Sequence, residues 1–133
     1  MDKTSNLSVF FENVFSNLEC ENITKAYIIS IFTKYNTAAF DLSKDSITLL
    51  YQEAKNKQDF NKFQNLGDWI FFANTWAPKH LCHSSKDYYQ TIGRLSYYSC
   101  YTLVNKQWKL YEELADNFII LEMKSRKLLN NIK

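Results

Sequence analysis

Apolar residues recur at steps of three and four along most of this chain, and that spacing divides it into helices. Leu7, Phe10, Phe11, Val14, Phe15 and Leu18 stack on one face, which predicts a first helix from Leu7 to Leu18. Asn22 is placed to cap a second helix, because its short polar side chain can accept free amides at a helix start. Ile23, Ala26, Tyr27, Ser30 and Ile31 follow in phase, while the β-branched density of YIISIFT leaves a strand as the alternative. After the link YNTAAFDLS a third helix is expected from about Lys44 to Lys57. Ser43 or Asp41 would cap it, and its inward face is Ile47, Leu50, Tyr51 and Ala54.

The next segment is apolar on nearly every side. Phe60, Phe63, Gly67, Ile70 and Phe71 form one stripe, and Leu66, Trp69, Phe72, Ala73 and Trp76 cover much of the remainder, as expected of a central helix. Pro78 would end it by removing a donor and disfavouring helical geometry at Ala77. Ser84 and Asp87 have the spacing of a capping box, so a fifth helix is expected to begin near Ser85 and run to about Val104. Asn105 is placed to cap the last helix, whose stripe is Trp108, Tyr111, Leu114, Ala115, Phe118 and Leu121, continuing to Leu128 and Leu129. The pattern predicts an all-α fold, a compact single-domain bundle of five to six helices spanning residues 1–133.

Composition supports this reading. Gly (2) and Pro (1) are too few for the many tight turns of a β-sandwich, whereas aromatics reach 17%. The net charge is +2, with basic residues interleaved among 14 acids, and only Arg94 and Arg126 offer the fork that reads phosphate and guanine. Nucleic acid is therefore a disfavoured partner. The Lys and Asn abundance fits an AT-rich genome, that of a low-GC bacterium or a phage. The start MDKTSNLSVFFENVF lacks the basic and apolar regions of a secretory signal, and no apolar run approaches the ~20 residues of a membrane span. A soluble, cytoplasmic protein without membrane contact is expected. Cys20, Cys82 and Cys100 show no paired spacing, so free thiols are expected rather than a disulfide framework.

Asp68 is the outstanding polar residue of the apolar stretch LGDWIFFANTWAPKHL. A carboxylate among apolar groups needs donors, and those nearest by type are Arg94 and the hydroxyls of Tyr88, Tyr89 and Tyr97 on the following helix. Three readings stand: a tie fixing how two helices meet, a partly exposed acid, or a catalytic or ligand-binding acid. Under the first, Asp68→Asn lowers the melting temperature. His80, Cys82 and His83 could offer nitrogen and sulfur to a metal, but the spacing matches no standard finger and no second ligand pair accompanies it. Glu112, Glu113 and Asp116 lack the Glu-x-x-His of di-iron bundles, and the two glycines stand too far apart for a phosphate loop. No catalytic residue, metal ligand or cofactor is assigned. Gly67 and Gly93 are read as sites of close helix packing, since mid-helix glycine otherwise costs about 1 kcal/mol. Tyr88, Tyr89, Tyr97, Tyr98 and Tyr101 are either half-buried core residues with wet tips or an aromatic binding surface.

The segments LGDWIFF, DYYQTIGRLSYY and LYEELADNFIIL together resemble a group of small uncharacterised helical bacterial proteins. In that group an apolar helix opens with Leu-Gly-Asp, a Tyr-Tyr pair begins the next helix, a Gly and a Tyr follow, and a helix with an acidic start ends the domain. The resemblance covers about residues 22–130 and rests on Leu66, Gly67, Asp68, Tyr88, Tyr89, Gly93, Tyr97 and Phe118. This chain departs at ANTWAPKHLCHSSK, where the group has a Gly-and-aromatic stretch. The resemblance implies a helical fold and no particular activity. The functional expectation is a non-enzymatic protein that binds another protein or a second copy of itself, with Trp76, His80, Tyr98 and Tyr101 as surface candidates. The alternative is a small-ligand binder or enzyme with a pocket near Asp68, Tyr88, Tyr89 and Arg94.

Overall fold

A computed structural model describes residues 3–35, 44–76 and 86–132, with side chains from residues 6, 46 and 86 onward in the three segments. Every element among them is helical: α1 (Lys3–Val14), α2 (Asn22–Tyr35), α3 (Lys44–Lys57), α4 (Phe60–Trp76), α5 (Lys86–Leu103), α6 (Lys109–Asp116) and α7 (Phe118–Asn130). The YIISIFT segment is helix, not strand, because Ile28, Ile31 and Phe32 at three- and four-residue steps are all buried.

Two features of the sequence reading are corrected. Among the described residues there are seven helices rather than five to six, since the last expected helix breaks at Asn117, whose φ of −109° and ψ of 17° leave the helical region. At the break Asn117 N–H donates to the Glu113 carbonyl at 2.9 Å, and Leu121 N–H to the Asn117 carbonyl at 2.8 Å. Asn105 does not cap α6. It closes α5 instead, in the left-handed conformation with φ 57°, donating to the Thr102 carbonyl while Lys106 N–H reaches back to the Tyr101 carbonyl. Asparagine tolerates this conformation better than most residues, and the paired bonds satisfy carbonyls that a helix end leaves open. Trp108 stands at the N-cap of α6 without a side-chain cap.

The α3–α4 joint has the same closure with no spare residue. Gln58, at φ 51°, ends α3, and the amide of Asp59 bonds back to the Ala54 carbonyl. Asp59 then caps α4, its carboxylate accepting the Lys62 amide at 3.2 Å. The expected caps at Ser43, Asp41 and Ser84 and the stop at Pro78 lie outside the described residues.

Helix α4 is central, packing against α2, α3, α5 and α7. Its buried residues include Phe63, Leu66, Trp69, Ile70, Phe71 and Ala73, which leaves it little outer face. Phe11 of α1, Phe15 just after it, Phe32 of α2 and Trp76 of α4 form one aromatic cluster, with ring centroids 5.0 to 6.4 Å apart. Both glycines mark close contacts. A methyl at Gly67 would come within 2.9 Å of the Tyr97 ring, and one at Gly93 within 2.6 Å of the Phe118 ring. Among the described residues no helix is long and apolar enough to cross a membrane.

Candidate functional site

Asp68 lies in the middle of α4 and is 7% exposed. Its Oδ1 accepts hydrogen bonds from Tyr27 Oη of α2 and Tyr97 Oη of α5, each at 2.7 Å. These rings meet edge to face, and both lie against Tyr111 of α6 with centroids 5.9 and 6.3 Å from its ring. Tyr111 Oη accepts from Gln64 Nε2 at 2.7 Å, closing a polar cluster contributed by four helices. The missing side chain at Gly67 lets the Tyr97 ring come down beside α4, so that its hydroxyl reaches the next residue's carboxylate.

Burial raises the Asp68 pKa to about 6, against the lowering effect of the Tyr97 and Tyr27 hydrogen bonds and the Lys34 charge. Burial and the Asp68 charge push the hydroxyls of Tyr27, Tyr35 and Tyr97 and the Cys100 thiol well above their ordinary values, so these stay neutral donors at any working pH. The carboxyl is thus the group of this cluster that titrates near neutrality.

A folded pKa near 6 lies above the ~3.9 of an unfolded aspartate, so the folded chain holds its proton more tightly. The stability this group confers is complete below about pH 4 and is lost as pH rises through 6. Asparagine keeps an Oδ1 acceptor for both tyrosines and carries no charge, which reverses the sequence-based expectation of a lower melting temperature above that pH. Asp68→Asn is expected to flatten the pH dependence, gaining on the order of 2 kcal/mol over the parent between pH 4.5 and 7.5. Urea unfolding at the two pH values measures it, and an unchanged difference between the proteins would show that Asp68 ionises freely in the fold.

Of the other donors considered for Asp68, none joins the cluster. The Tyr88 hydroxyl bonds to Thr48 Oγ1 of α3, the Tyr89 ring is buried against Tyr88, and Arg94 is exposed beside Thr91, Leu95, Tyr98, Ala115 and Asp116. Tyr98 is 47% exposed, while Tyr101 and Trp76 are largely covered, Trp76 within the aromatic cluster of α1 and α2. His80, Cys82 and His83 lie outside the described residues. Among the described residues no three His, Cys, Asp or Glu side chains converge as a metal site, and Cys20 and Cys100 are free thiols. Tyr27 was missed as a partner. Its signal was a hydroxyl placed on the inward face of α2, which needs an acceptor when buried.

A second polar centre was missed altogether. Glu122 of α7 is fully buried, and its carboxylate accepts from Asn74 Nδ2 of α4 at 2.9 Å, Gln90 Nε2 of α5 at 3.0 Å and Arg126 Nη2 at 2.8 Å. Arg126 also donates to the Asn74 carbonyl at 3.3 Å. The signal was Glu122 standing in phase with Phe118, Ser125 and Leu129, the buried face of its helix.

Asp68 lines neither of two surface depressions. One is a cleft of about 270 Å³ between α2, α3 and α4, lined by Lys34, Tyr35, Leu50, Lys62, Asn65, Leu66 and Trp69. The other is a shallow groove of about 190 Å³ between α5 and α6. No family model, no curated protein and no solved structure matches this chain.

Proposed function

We propose that this helical protein works by binding another protein or a second copy of itself, through the surface formed by α5, α6 and α7. The observation that carries this reading is the exposure of Leu95, Tyr98, Ile119, Ile120 and Met123, between 38 and 59%, in a chain that buries most of its aromatic and aliphatic side chains. Leu95 and Tyr98 line the shallow groove together with Ala115, flanked by Arg94 and Asp116 of opposite charge. Ile119, Ile120 and Met123 are exposed apolar side chains of α7. Aromatic and Met side chains set beside a charged border are the usual anchors of a protein contact, and an exposed apolar patch on a water-facing helix pair needs a reason.

The alternative reading, a pocket shared by Asp68, Tyr88, Tyr89 and Arg94, loses support from the geometry, because Tyr88 turns to α3, Arg94 to the α5–α6 groove, and Asp68 to Tyr27 and Tyr97. Tyr98→Lys combined with Met123→Lys tests the surface, since both side chains are exposed and their loss leaves the core intact. Sedimentation should show the parent assembling, or affinity capture from its host should retain a partner, and the double variant should lose that species with an unchanged helical spectrum. A monomeric parent whose captured proteins are the same as the variant's would end this reading.

A further inference from the structure

We infer that the groove between α5 and α6 is one half of a two-fold symmetric contact whose occupant is a second copy of this chain, with Arg94 of each copy set against Asp116 of the other. The inference rests on the α5–α7 binding surface proposed above and names the partner that surface takes. Thr91, Arg94, Leu95 and Tyr98 form one bank of the groove at steps of three and four along α5, and all four are exposed. Ala115 and Asp116, at the end of α6, form the other bank. Ala115 is buried and small, so it gives the groove its floor, while Tyr98, 47% exposed, is a ring beside that floor.

The charges decide the occupant. Arg94 and Asp116 stand on opposite banks, and among the described residues neither has an ion-pair partner. The next charges along the banks are Glu112, which Lys109 answers at 3.7 Å, and Asp87, which follows Lys86 at the start of α5. The groove therefore has one positive and one negative bank and no net charge. Such a surface is its own complement. A two-fold axis running along the groove lays the α5 bank of each copy over the α6 bank of the other, which matches Arg94 with Asp116 twice and brings each Tyr98 ring over the Ala115 of the other copy. A partner of one predominant charge would satisfy one bank and oppose the other. Exposed ion pairs add little affinity, so the charges set the register while Tyr98 and Leu95 supply the burial.

Charge reversal tests the match, using the full chain in sedimentation between about 1 μM and about 1 mM, the range of a weak contact. The parent should pass from monomer to dimer within that range. Arg94→Asp alone and Asp116→Arg alone each place like charges together twice in a symmetric pair, so each should weaken the dimer about tenfold or more. Both side chains are exposed, so the helical spectrum should not change. An equimolar mixture of the two single variants restores both matches, as does one chain carrying both reversals, and each should regain the association of the parent. A parent that stays monomeric to about 1 mM, single variants that dimerise as the parent does, or a mixture that associates no better than its components would overturn the inference. If the parent is monomeric but still captures a host protein that Tyr98→Lys with Met123→Lys loses, the second copy falls as occupant while the surface itself stands.

Discussion

Glu122→Ala is expected to destabilise the fold by about 3–5 kcal/mol, the loss typical when one member of a buried, hydrogen-bonded charge group is removed. Asn74 Nδ2, Gln90 Nε2 and Arg126 Nη2 all converge on this carboxylate, so its deletion orphans donors on three helices at once. The loss is a large share of the 5–15 kcal/mol that holds an ordinary domain together, and the variant should unfold at a distinctly lower urea midpoint. Glu122→Gln separates charge from hydrogen bonding. Its carbonyl can serve Gln90 and Arg126, and its amide can serve Asn74 once that side chain turns its oxygen inward, so a milder loss of about 1–2 kcal/mol is expected. Equal losses for the two variants would mean that charge, not the bonding pattern, makes the centre.

Gly93→Val is expected to cost about 3 kcal/mol, although valine is the better helix former of the two. Phe118 stands where the new side chain must go: the closest atom of its ring would lie 2.6 Å from the added Cβ, with Ile70 Cγ2 behind it at 3.3 Å. The ring cannot yield easily, being fully buried between Phe71 and Tyr97 at centroid distances of 5.4 and 6.0 Å. Phe118→Leu removes the obstructing edge and costs stability of its own by leaving space. Chemical denaturation of the four proteins in a double-mutant cycle should give a pair that is at least 1 kcal/mol less damaging than the sum of its singles. Strict additivity would place the cost of Gly93→Val in the backbone rather than in this contact.

The helices and their inward faces were legible in the sequence because each is a local property, written in three- and four-residue steps that survive whatever the helix packs against. Asn105 and Asn117 show where that reading fails. Asparagine serves a helix start, a left-handed helix end or a local break with nearly equal ease, and only the neighbouring turns decide among them. Gly93 was legible as a close approach, but Phe118 as the neighbour was not, since partner choice depends on how helices distant in sequence meet. The same limit hid Tyr27 behind the closer candidates Tyr88, Tyr89 and Arg94. Spacing places those three on the helix after Asp68, yet α5 turns only Tyr97 toward it. Glu122 was hidden for another reason: its own spacing marked it as buried, but a pattern search that tracks apolar residues skips a carboxylate.

A helix such as α4, greasy on nearly every side, gains almost as much burial in one rotational setting as in the next. The apolar effect alone would leave it free to roll or slide between its neighbours, as a smooth dowel does in a bore. Asp68 and Asn74 act as two keys cut into that dowel. They stand six residues apart, which places them about 120° apart around the axis and about 9 Å apart along it. Asp68 fits hydroxyls on α2 and α5, and Asn74 fits the carboxylate on α7. A roll by one residue would withdraw both keys at once and strand ionisable groups in the interior, so the two polar centres select one rotation and one depth of insertion for the central helix.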